Sequence, residues 1–197
     1  MESLTPVRQP IAIRPDYVAS STTTIQVKQH SASWSSGNFT ISSTPTAEEP
    51  LSNKLFVVDS DFGSLSQLRR FRDASGLPLF EISRKKTGSI WNLHLPGESR
   101  SGSNRSKIAT AVPKWGAFTD KFDVHFQNAA ANGKETVLAV RGQNVWKSRT
   151  NVYHHGKLVM RVKLTDMVAV YLPGKRPTWE VVVAEGMDLS LVISKGP

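Results

Sequence analysis

The chain has 197 residues, 39% of them hydrophobic, with no cysteine and a formal net charge of +9. This length is enough to bury a hydrophobic core, and the composition is that of a globular rather than a disordered protein. The absence of cysteine excludes disulfides, thiolate metal sites, a cysteine nucleophile and S-acylation.

The N-terminal sequence lacks the basic and apolar regions of a signal peptide. No apolar stretch approaches the about 18 residues that a membrane-spanning helix needs. We therefore expect a cytoplasmic protein, with a peripheral membrane or nuclear location as alternatives. Residues 1–10 are predicted to be a flexible leader, residues 11–197 a single domain, and the protein a monomer.

The positive charge is concentrated in two central blocks. Residues 69–115 carry ten Lys and Arg against three acidic residues, a net of +7, and residues 134–176 carry nine against two, again +7. The rest of the chain sums to −5. This distribution indicates an anionic partner, either phosphorylated lipid headgroups or nucleic acid. A solvated basic surface that keeps the domain soluble is the alternative explanation.

Short β-branched or alternating stretches predict strands through the first half of the chain. They cover residues 11–13, 17–18, 24–27, 39–41, 54–59, 65–72, 78–84 and 89–95. A hairpin turn is predicted at 73–76, because Asp73 can bond its own downstream backbone and Gly76 accepts positive φ. In the return strand Glu81 and Ser83 lie on the face opposite Phe80, which is typical of a half-buried strand.

In the second half, residues 97–106 are predicted to be a surface loop. Strands resume at 121–126, 136–141, 157–164, 167–172 and 178–184, with turns at Asn132-Gly133 and around 153–156. About a dozen short strands and almost no helix predict a barrel or a sandwich. Residues 187–193 are the exception: they predict a helix that is apolar on most sides and must be buried, with Asp188 near its positive end.

No catalytic or metal-binding pattern is present. The five histidines form no helical His-x-x-x-His pair, and adjacent His154 and His155 fall in a predicted turn where polar residues are ordinary. No Gly-x-Ser-x-Gly elbow, P-loop or dinucleotide-binding glycine motif occurs. We therefore expect a protein that is not an enzyme and that uses no metal or cofactor.

Three groups of motifs together resemble the LURP-one-related family of the tubby C-terminal-like superfamily, to which phospholipid scramblases are also related. The first is Asp-x-x-Gly-x-Pro-Leu-Phe-x-Ile-x-Arg-Lys at 73–85, followed by Trp91. The second is Val-x-Val-Ala-x-Gly-x-Asp-x-x-Leu-Val at 181–192. Residues 14–18 and 39–41 resemble the family's opening strands, in a fungal-type version.

The resemblance implies a closed antiparallel barrel of about twelve strands around a hydrophobic C-terminal helix. Here the helix is expected to be short, since Lys195-Gly-Pro197 ends it. The resemblance also implies a non-enzymatic binding module, because relatives on this fold bind phosphoinositides. The acylated cysteines and membrane-inserting tail of scramblases are missing from this sequence, so lipid translocation is not expected.

The basic residues of the two central blocks are the candidate anion-binding residues. They are Arg69, Arg70, Arg72, Arg84, Lys85, Lys86, Lys147, Arg149, Arg161 and Lys163. We expect them to dock on anionic phospholipid or phosphoinositide headgroups, or on an acidic protein partner. One alternative is a nucleic-acid-binding or transcription-associated protein that stacks bases on Trp34, Trp115 or Trp146. A small-ligand carrier with a central cavity is a further alternative.

Overall fold

The structure is a computed structural model. It describes residues 2–30, 38–45, 51–60, 68–84, 90–97, 107–114, 121–144, 148–165 and 176–194. The predicted strand at 167–172 and nearly all of the predicted loop at 97–106 lie outside the described residues. So do Lys85, Lys86 and Lys147, and the three tryptophans considered for base stacking.

The described residues form twelve strands. They are β1 (Thr23–Gln29), β2 (Phe39–Ser43), β3 (Lys54–Ser60), β4 (Arg69–Asp73), β5 (Pro78–Arg84), β6 (Trp91–His94), β7 (Lys107–Pro113), β8 (Lys121–Asn128), β9 (Lys134–Gly142), β10 (Arg149–His154), β11 (Lys157–Leu164) and β12 (Thr178–Val183). Each strand neighbours the next along the chain, and β12 neighbours β1, so the sheet closes into a barrel. The predicted closed antiparallel barrel is confirmed.

Helix within the described residues is limited to three short 3-10 helices, Pro15–Tyr17, Ala129–Ala131 and Leu189–Ser194. The last is the predicted C-terminal helix, and its residues Ser190, Leu191 and Val192 are buried. Its first turn is stabilised by the preceding Asp188, whose carboxylate accepts a hydrogen bond from the Ser190 amide at 2.7 Å. The acidic residue thus has the N-terminal position that the sequence predicts for it.

Two strand predictions were wrong at the local level. Residues 11–13 and 17–18 form isolated bridges around a 3-10 helix rather than strands, because Pro15 has no amide hydrogen for a ladder. Strand β7 was not predicted at all. Its alternation of Ile108, Thr110 and Val112 with two alanines carries little hydrophobic contrast between its faces.

The chain divides into two compact units. Unit 1 comprises residues 1–25, 111–164 and 180–196, and unit 2 comprises residues 26–110, 165–179 and 197. In unit 2 the core is aromatic: the Phe71 ring lies 5.2 Å from that of Phe56 and stacks on that of Phe80 at 4.6 Å. The pairing register places these rings on one face, since Phe71 is directly opposite Phe80 and is itself buried.

Unit 1 has an aliphatic core and contains both described ends of the chain. Inward-facing Val152 lies opposite Met160, and both are buried, as are Leu158 and Val162. The predicted strand at 157–164 is confirmed. The N-terminal segment is hydrogen-bonded to this unit: the Thr5 amide donates to the Leu158 carbonyl at 2.8 Å. The predicted flexibility of residues 1–10 stays a prediction.

A buried carboxylate joins the two ends of the chain in unit 1. Asp188 is fully buried, and one of its oxygens accepts the amides of Ile13 at 3.0 Å and Arg14 at 2.8 Å. Burial raises the pKa of Asp188, while the hydrogen bonds from Arg14, Ser190 and Ile13 oppose that rise. Through hydrogen bonds from these three amides, Asp188 connects residues 11–14 to the C-terminal helix.

Gly186, two residues earlier, is required by the same junction. Its φ of +84° lies in the left-handed region, and an added Cβ would lie 2.5 Å from the Val7 carbonyl oxygen. Its amide donates to the Ala19 carbonyl, and its carbonyl accepts from the Ile11 amide, each at 2.9 Å. Only glycine satisfies both the backbone conformation and the close approach of the N-terminal segment.

Candidate anion-binding sites

The hairpin of β4 and β5 in unit 2 contains four of the candidate arginines. Its predicted turn is confirmed: the Asp73 carboxylate accepts the Ser75 and Leu77 amides at 2.9 Å each, and Gly76 has a φ of +92°. The pairing register sets Arg69 opposite Ile82 and Arg70 opposite Glu81. Successive residues of a strand point to opposite faces. The arginines of this hairpin are therefore divided between its two faces.

Arg69 is built into the apolar face. It is only 8% exposed, and its guanidinium lies 5.3 Å from the centroid of the Trp91 ring, a cation–π contact. Burial lowers the pKa of Arg69 from its ordinary value. A cation that is largely removed from water and stacked on an indole contributes to the packing of this unit rather than to a surface that an incoming anion can reach.

Arg70 and Arg72 lie on the other face, and each is paired with a carboxylate of its own sheet. Nε of Arg70 lies 3.7 Å from Glu81 Oε1, and Nε of Arg72 lies 3.7 Å from Asp59 Oδ2. These ion pairs reduce the local positive charge that the sequence suggests. The fourth arginine, Arg84, is exposed at the end of β5, opposite Trp91.

The face of β5 that was predicted to be exposed to solvent is buried in the structure. Glu81 is 8% exposed and Ser83 is 5% exposed, so β5 is buried on both faces rather than half-buried. The neighbouring strand explains this burial in part, since His94 lies opposite Glu81 and Asn92 opposite Ser83. Both of these β6 residues are themselves buried. The predicted alternation of residues in β5 is correct. The prediction that Glu81 and Ser83 face solvent was wrong, because polar side chains of β6 cover them.

The hairpin of β10 and β11 in unit 1 contains the other described candidates. Arg149 lies directly opposite Lys163, and Arg161 lies opposite Asn151 one step along the same face. Directly opposed residues of an antiparallel pair share one face of the sheet. Arg149 and Lys163 are exposed, and neither forms an ion pair with any described residue. These three cations do converge.

Arg161 is partly engaged by the N-terminal segment. Its Nη2 donates to the backbone carbonyl of Glu2, and the Glu2 carboxylate accepts a hydrogen bond from the Tyr153 hydroxyl at 3.1 Å. The Tyr153 hydroxyl also accepts from Asn151 Nδ2 at 3.0 Å. The segment therefore lies against the edge of the cationic group and leaves the opposed pair of Arg149 and Lys163 outside these contacts.

The sequence reasoning missed the extension of this face across two more strands. Lys121 of β8 lies opposite Arg141 of β9, and Arg141 lies opposite Asn151 of β10. The exposed Lys121 is thus on the same face as Arg161, three strand spacings or about 14 Å away. We define the basic face as Lys121, Arg149, Arg161 and Lys163. Only the pairing register could reveal it, since its members are far apart in sequence.

A carboxylate next to the basic face, that of Asp123, is the counter-ion of two neighbouring cations. Asp123 accepts a 2.7 Å hydrogen bond from Arg141 Nη2, and its other oxygen lies 2.6 Å from Lys114 Nζ. Burial alone would raise the pKa of Asp123, but the hydrogen bonds and positive charges of Lys114 and Arg141 outweigh it and hold the pKa below its usual value. Asp123 is therefore ionised at neutral pH and neutralises cations that would otherwise join the basic face.

Metal coordination finds no support in the described part of the chain, where no three His, Asp or Glu side chains are grouped as metal ligands. Nor does any helix among the described residues have the length and apolarity to cross a membrane.

The fold and these sites define a class: a twelve-stranded closed β-barrel whose exposed chemistry is cationic, which suggests a binding module. The sequence matches the LURP-one-related family over residues 23–194, and the chain belongs to that family. No curated protein sequence matches it. The fold is similar to a crystal structure of a protein from Arabidopsis thaliana, with a TM-score of 0.60, 18% identity, and coverage of 94% of this chain and 93% of that one. The fungal-type assignment stays a prediction.

Proposed function

We propose that this protein is a non-enzymatic binding module that docks reversibly on anionic phospholipid headgroups, including phosphoinositides, through the basic face of unit 1. The observation that carries the proposal is the opposed pair Arg149 and Lys163, exposed and without an ion pair among the described residues, with Arg161 beside it. Arg69, Arg70 and Arg72 of β4 are assigned a structural role, since Arg69 is buried and the other two are ion-paired.

The expected strength of docking follows from the number of cations. A Lys or Arg close to an anionic membrane surface contributes about 1 kcal/mol. The three converging residues of β10 and β11 therefore supply about 3 kcal/mol, or roughly a hundredfold in affinity. Such binding is reversible and weakens as salt concentration rises, because surface charges are screened.

Vesicle co-sedimentation tests the proposal. The full chain is titrated with phosphatidylcholine vesicles, with and without a phosphoinositide, at low and at moderate salt. The triple variant Arg149→Gln, Arg161→Gln, Lys163→Gln is expected to lose most of the phosphoinositide-dependent binding. A charge-matched control removes three exposed lysines of unit 2, Lys28→Gln, Lys54→Gln and Lys107→Gln, and is expected to retain most of it.

Two results would overturn the proposal. One is equal loss of binding in both triple variants, which would mean that net charge rather than the basic face matters. The other is no phosphoinositide-dependent binding at any salt concentration. A parallel mobility-shift titration with duplex DNA examines the nucleic-acid alternative. Tight, steeply salt-dependent DNA binding that is stronger than vesicle binding would replace the lipid proposal.

A further inference from the structure

Unit 1 contains a cleft of about 550 Å³ at the turn end of the β10–β11 hairpin. The N-terminal residues 5–9 and Ile11 form one wall, the hairpin tip forms the other, and the start of β9 lies between them. This volume is within the range of small-molecule sites, roughly 300–1,000 Å³. His154, which lines the cleft, is five positions from Arg149 along β10, so the cleft lies about 17 Å from the basic face.

The cleft is already formed in the free protein, because backbone contacts hold its walls. The Thr5 amide donates to the Leu158 carbonyl at 2.8 Å, and the Val7 amide to the Glu185 carbonyl at 2.9 Å. Nδ2 of the buried Asn128 donates to the Pro10 carbonyl at 2.8 Å. A ligand entering the cleft therefore does not have to order the N-terminal segment, which would weaken its binding.

The lining is rich in cations. Arg8, Lys134 and Lys157 are exposed, and none of them forms an ion pair with a described residue. The lining contains a single acidic residue, Glu135, whose carboxylate lies 3.8 Å from Nδ1 of His125. Three cations from three separate segments around one cleft match a ligand of high negative charge, and phosphoryl oxygens are the common acceptors for such a set.

Two histidines complete the site. The β10–β11 turn has positive φ at both central residues, 48° at His155 and 76° at Gly156, as in a type I′ hairpin. Asn or Asp is the usual choice at the first of these positions, and histidine is also among the residues that adopt positive φ. Its ring lies 4.1 Å from that of His154 and lines the cleft beside it.

His154 is poised to respond to an anion. Burial lowers its pKa, and electrostatic interaction with His155 and Lys134 lowers it further, so the ring is neutral at neutral pH. The charged and titratable groups that line the cleft are Arg8 from the N-terminal segment, Lys134 and Glu135 from β9, and His155 and Lys157 from the hairpin. An added negative charge would offset this positive surplus and favour proton uptake by His154.

We propose that this cleft binds a small, soluble organic molecule that carries a phosphoryl group. Arg8, Lys134 and Lys157 bind the phosphoryl oxygens, and the apolar lining residues Val7 and Val159 contact the carbon body of the ligand. A proton on His154 strengthens binding as the pH falls. This inference does not depend on docking of the basic face to membranes.

The test is a titration of the full chain with glucose 6-phosphate, followed through the imidazole NMR signals of His154 and His155, with unphosphorylated glucose as the matched ligand control. Glucose 6-phosphate is expected to bind and glucose is not. The variant Lys134→Gln, Lys157→Gln is expected to weaken binding about tenfold per cation removed. The charge-matched variant Lys28→Gln, Lys54→Gln, at two exposed lysines of unit 2, is expected to bind as the wild type does.

The pH dependence supplies a second readout. Since the phosphoryl group itself gains a proton near pH 6, the comparison is between wild type and His154→Gln over about pH 8 to pH 5. Wild type is expected to gain affinity relative to the variant as the pH falls. Identical pH profiles for the two proteins would overturn the role of His154.

Phosphoinositide vesicles distinguish a soluble ligand from a lipid headgroup. If Lys134→Gln, Lys157→Gln lowers vesicle binding while glucose 6-phosphate does not bind, the cleft takes a headgroup and the soluble-ligand proposal is wrong. Equal binding of glucose and glucose 6-phosphate would also overturn it. If vesicles do not bind but glucose 6-phosphate does, the proposed function of the basic face is wrong and the proposal for the cleft is supported.

Discussion

The β4–β5 hairpin of unit 2 and the β10–β11 hairpin of unit 1 look alike in sequence, since each has several cations near a turn. In the structure they differ. Arg70 and Arg72 each face a carboxylate, and Arg69 is buried against Trp91. On the other hairpin, Arg149 and Lys163 oppose each other on an exposed face. A run of basic residues is therefore a binding surface only where the opposing strand does not supply counter-charges.

The same contrast extends to the acidic residues. In unit 2, Glu81 is buried beside Arg70, with which it forms an ion pair. In unit 1, Asp188 is buried and accepts hydrogen bonds from backbone amides, while Asp123 at the side of the basic face binds Lys114 and Arg141. Substitution of each of these three carboxylates tests whether the two units use their acidic residues differently.

The largest effect is expected from Asp188→Ala. The substitution leaves the part-buried amides of Ile13 and Arg14 and the buried amide of Ser190 without their acceptor. Each unsatisfied buried donor costs about 1–3 kcal/mol, so unfolding free energy should fall by roughly 3 kcal/mol or more. Urea denaturation followed by tryptophan fluorescence measures it. The matched control is Asp16→Ala, an exposed aspartate of the same unit, with an expected change within about 0.5 kcal/mol.

A smaller loss of stability is expected from Glu81→Ala in unit 2. Removing the carboxylate leaves Arg70 without this partner on a largely buried face, although the arginine remains 27% exposed and can reach water. We expect a loss of about 2 kcal/mol in the same denaturation measurement. Glu135→Ala removes a glutamate whose side chain is 78% exposed and should change stability little. Equal effects of the two substitutions would contradict a structural role for the β4–β5 charges.

The smallest stability effect, and the most informative for binding, is expected from Asp123→Asn. The lowered pKa of Asp123 means that the unfolded chain binds its proton more readily than the folded protein does. Its stabilisation is therefore present at neutral pH and disappears as the pH falls below about 4, through the depressed pKa. The variant should lose about 1–2 kcal/mol at pH 7 and show a flatter acid limb in denaturation at several pH values.

The same substitution should increase docking. Lys114 and Arg141 lose their counter-ion in Asp123→Asn, which adds one net positive charge beside the basic face. Phosphoinositide vesicle binding is expected to rise about fivefold, the equivalent of about 1 kcal/mol. A decrease in vesicle binding by the correctly folded variant would show that the membrane contact lies elsewhere.

Much of the fold could be predicted from local pattern. The Asp73–Gly76 turn and the strand at 157–164 both have strong local signals, and both are confirmed. The failures have local causes as well. Because of its alanines, β7 has no clear alternation of apolar and polar residues. The polar residues of β5 predict exposure to solvent, but His94 and Asn92 of β6 cover them.

The candidate sites were less predictable, because binding depends on which side chains share a face. Register places Lys121 and Arg161 in one row although 40 positions separate them in sequence. Register also sets Glu81 beside Arg70, which removes much of the positive charge that residues 69–84 suggest. Neither arrangement has a signature in the local sequence, since it depends on strands that meet only in the folded sheet.

The all-β class, the turns and the family resemblance are evident in the amino-acid sequence, because period-2 patterns and turn residues act over a few positions. The same is true of the overall positive charge. The folded structure was needed to show which of the described cations form ion pairs, which carboxylates are buried, and that the N-terminal segment and the β10–β11 turn enclose a cationic cleft. Charge pairing and burial depend on contacts between residues that are distant in the chain, and these contacts exist only after folding.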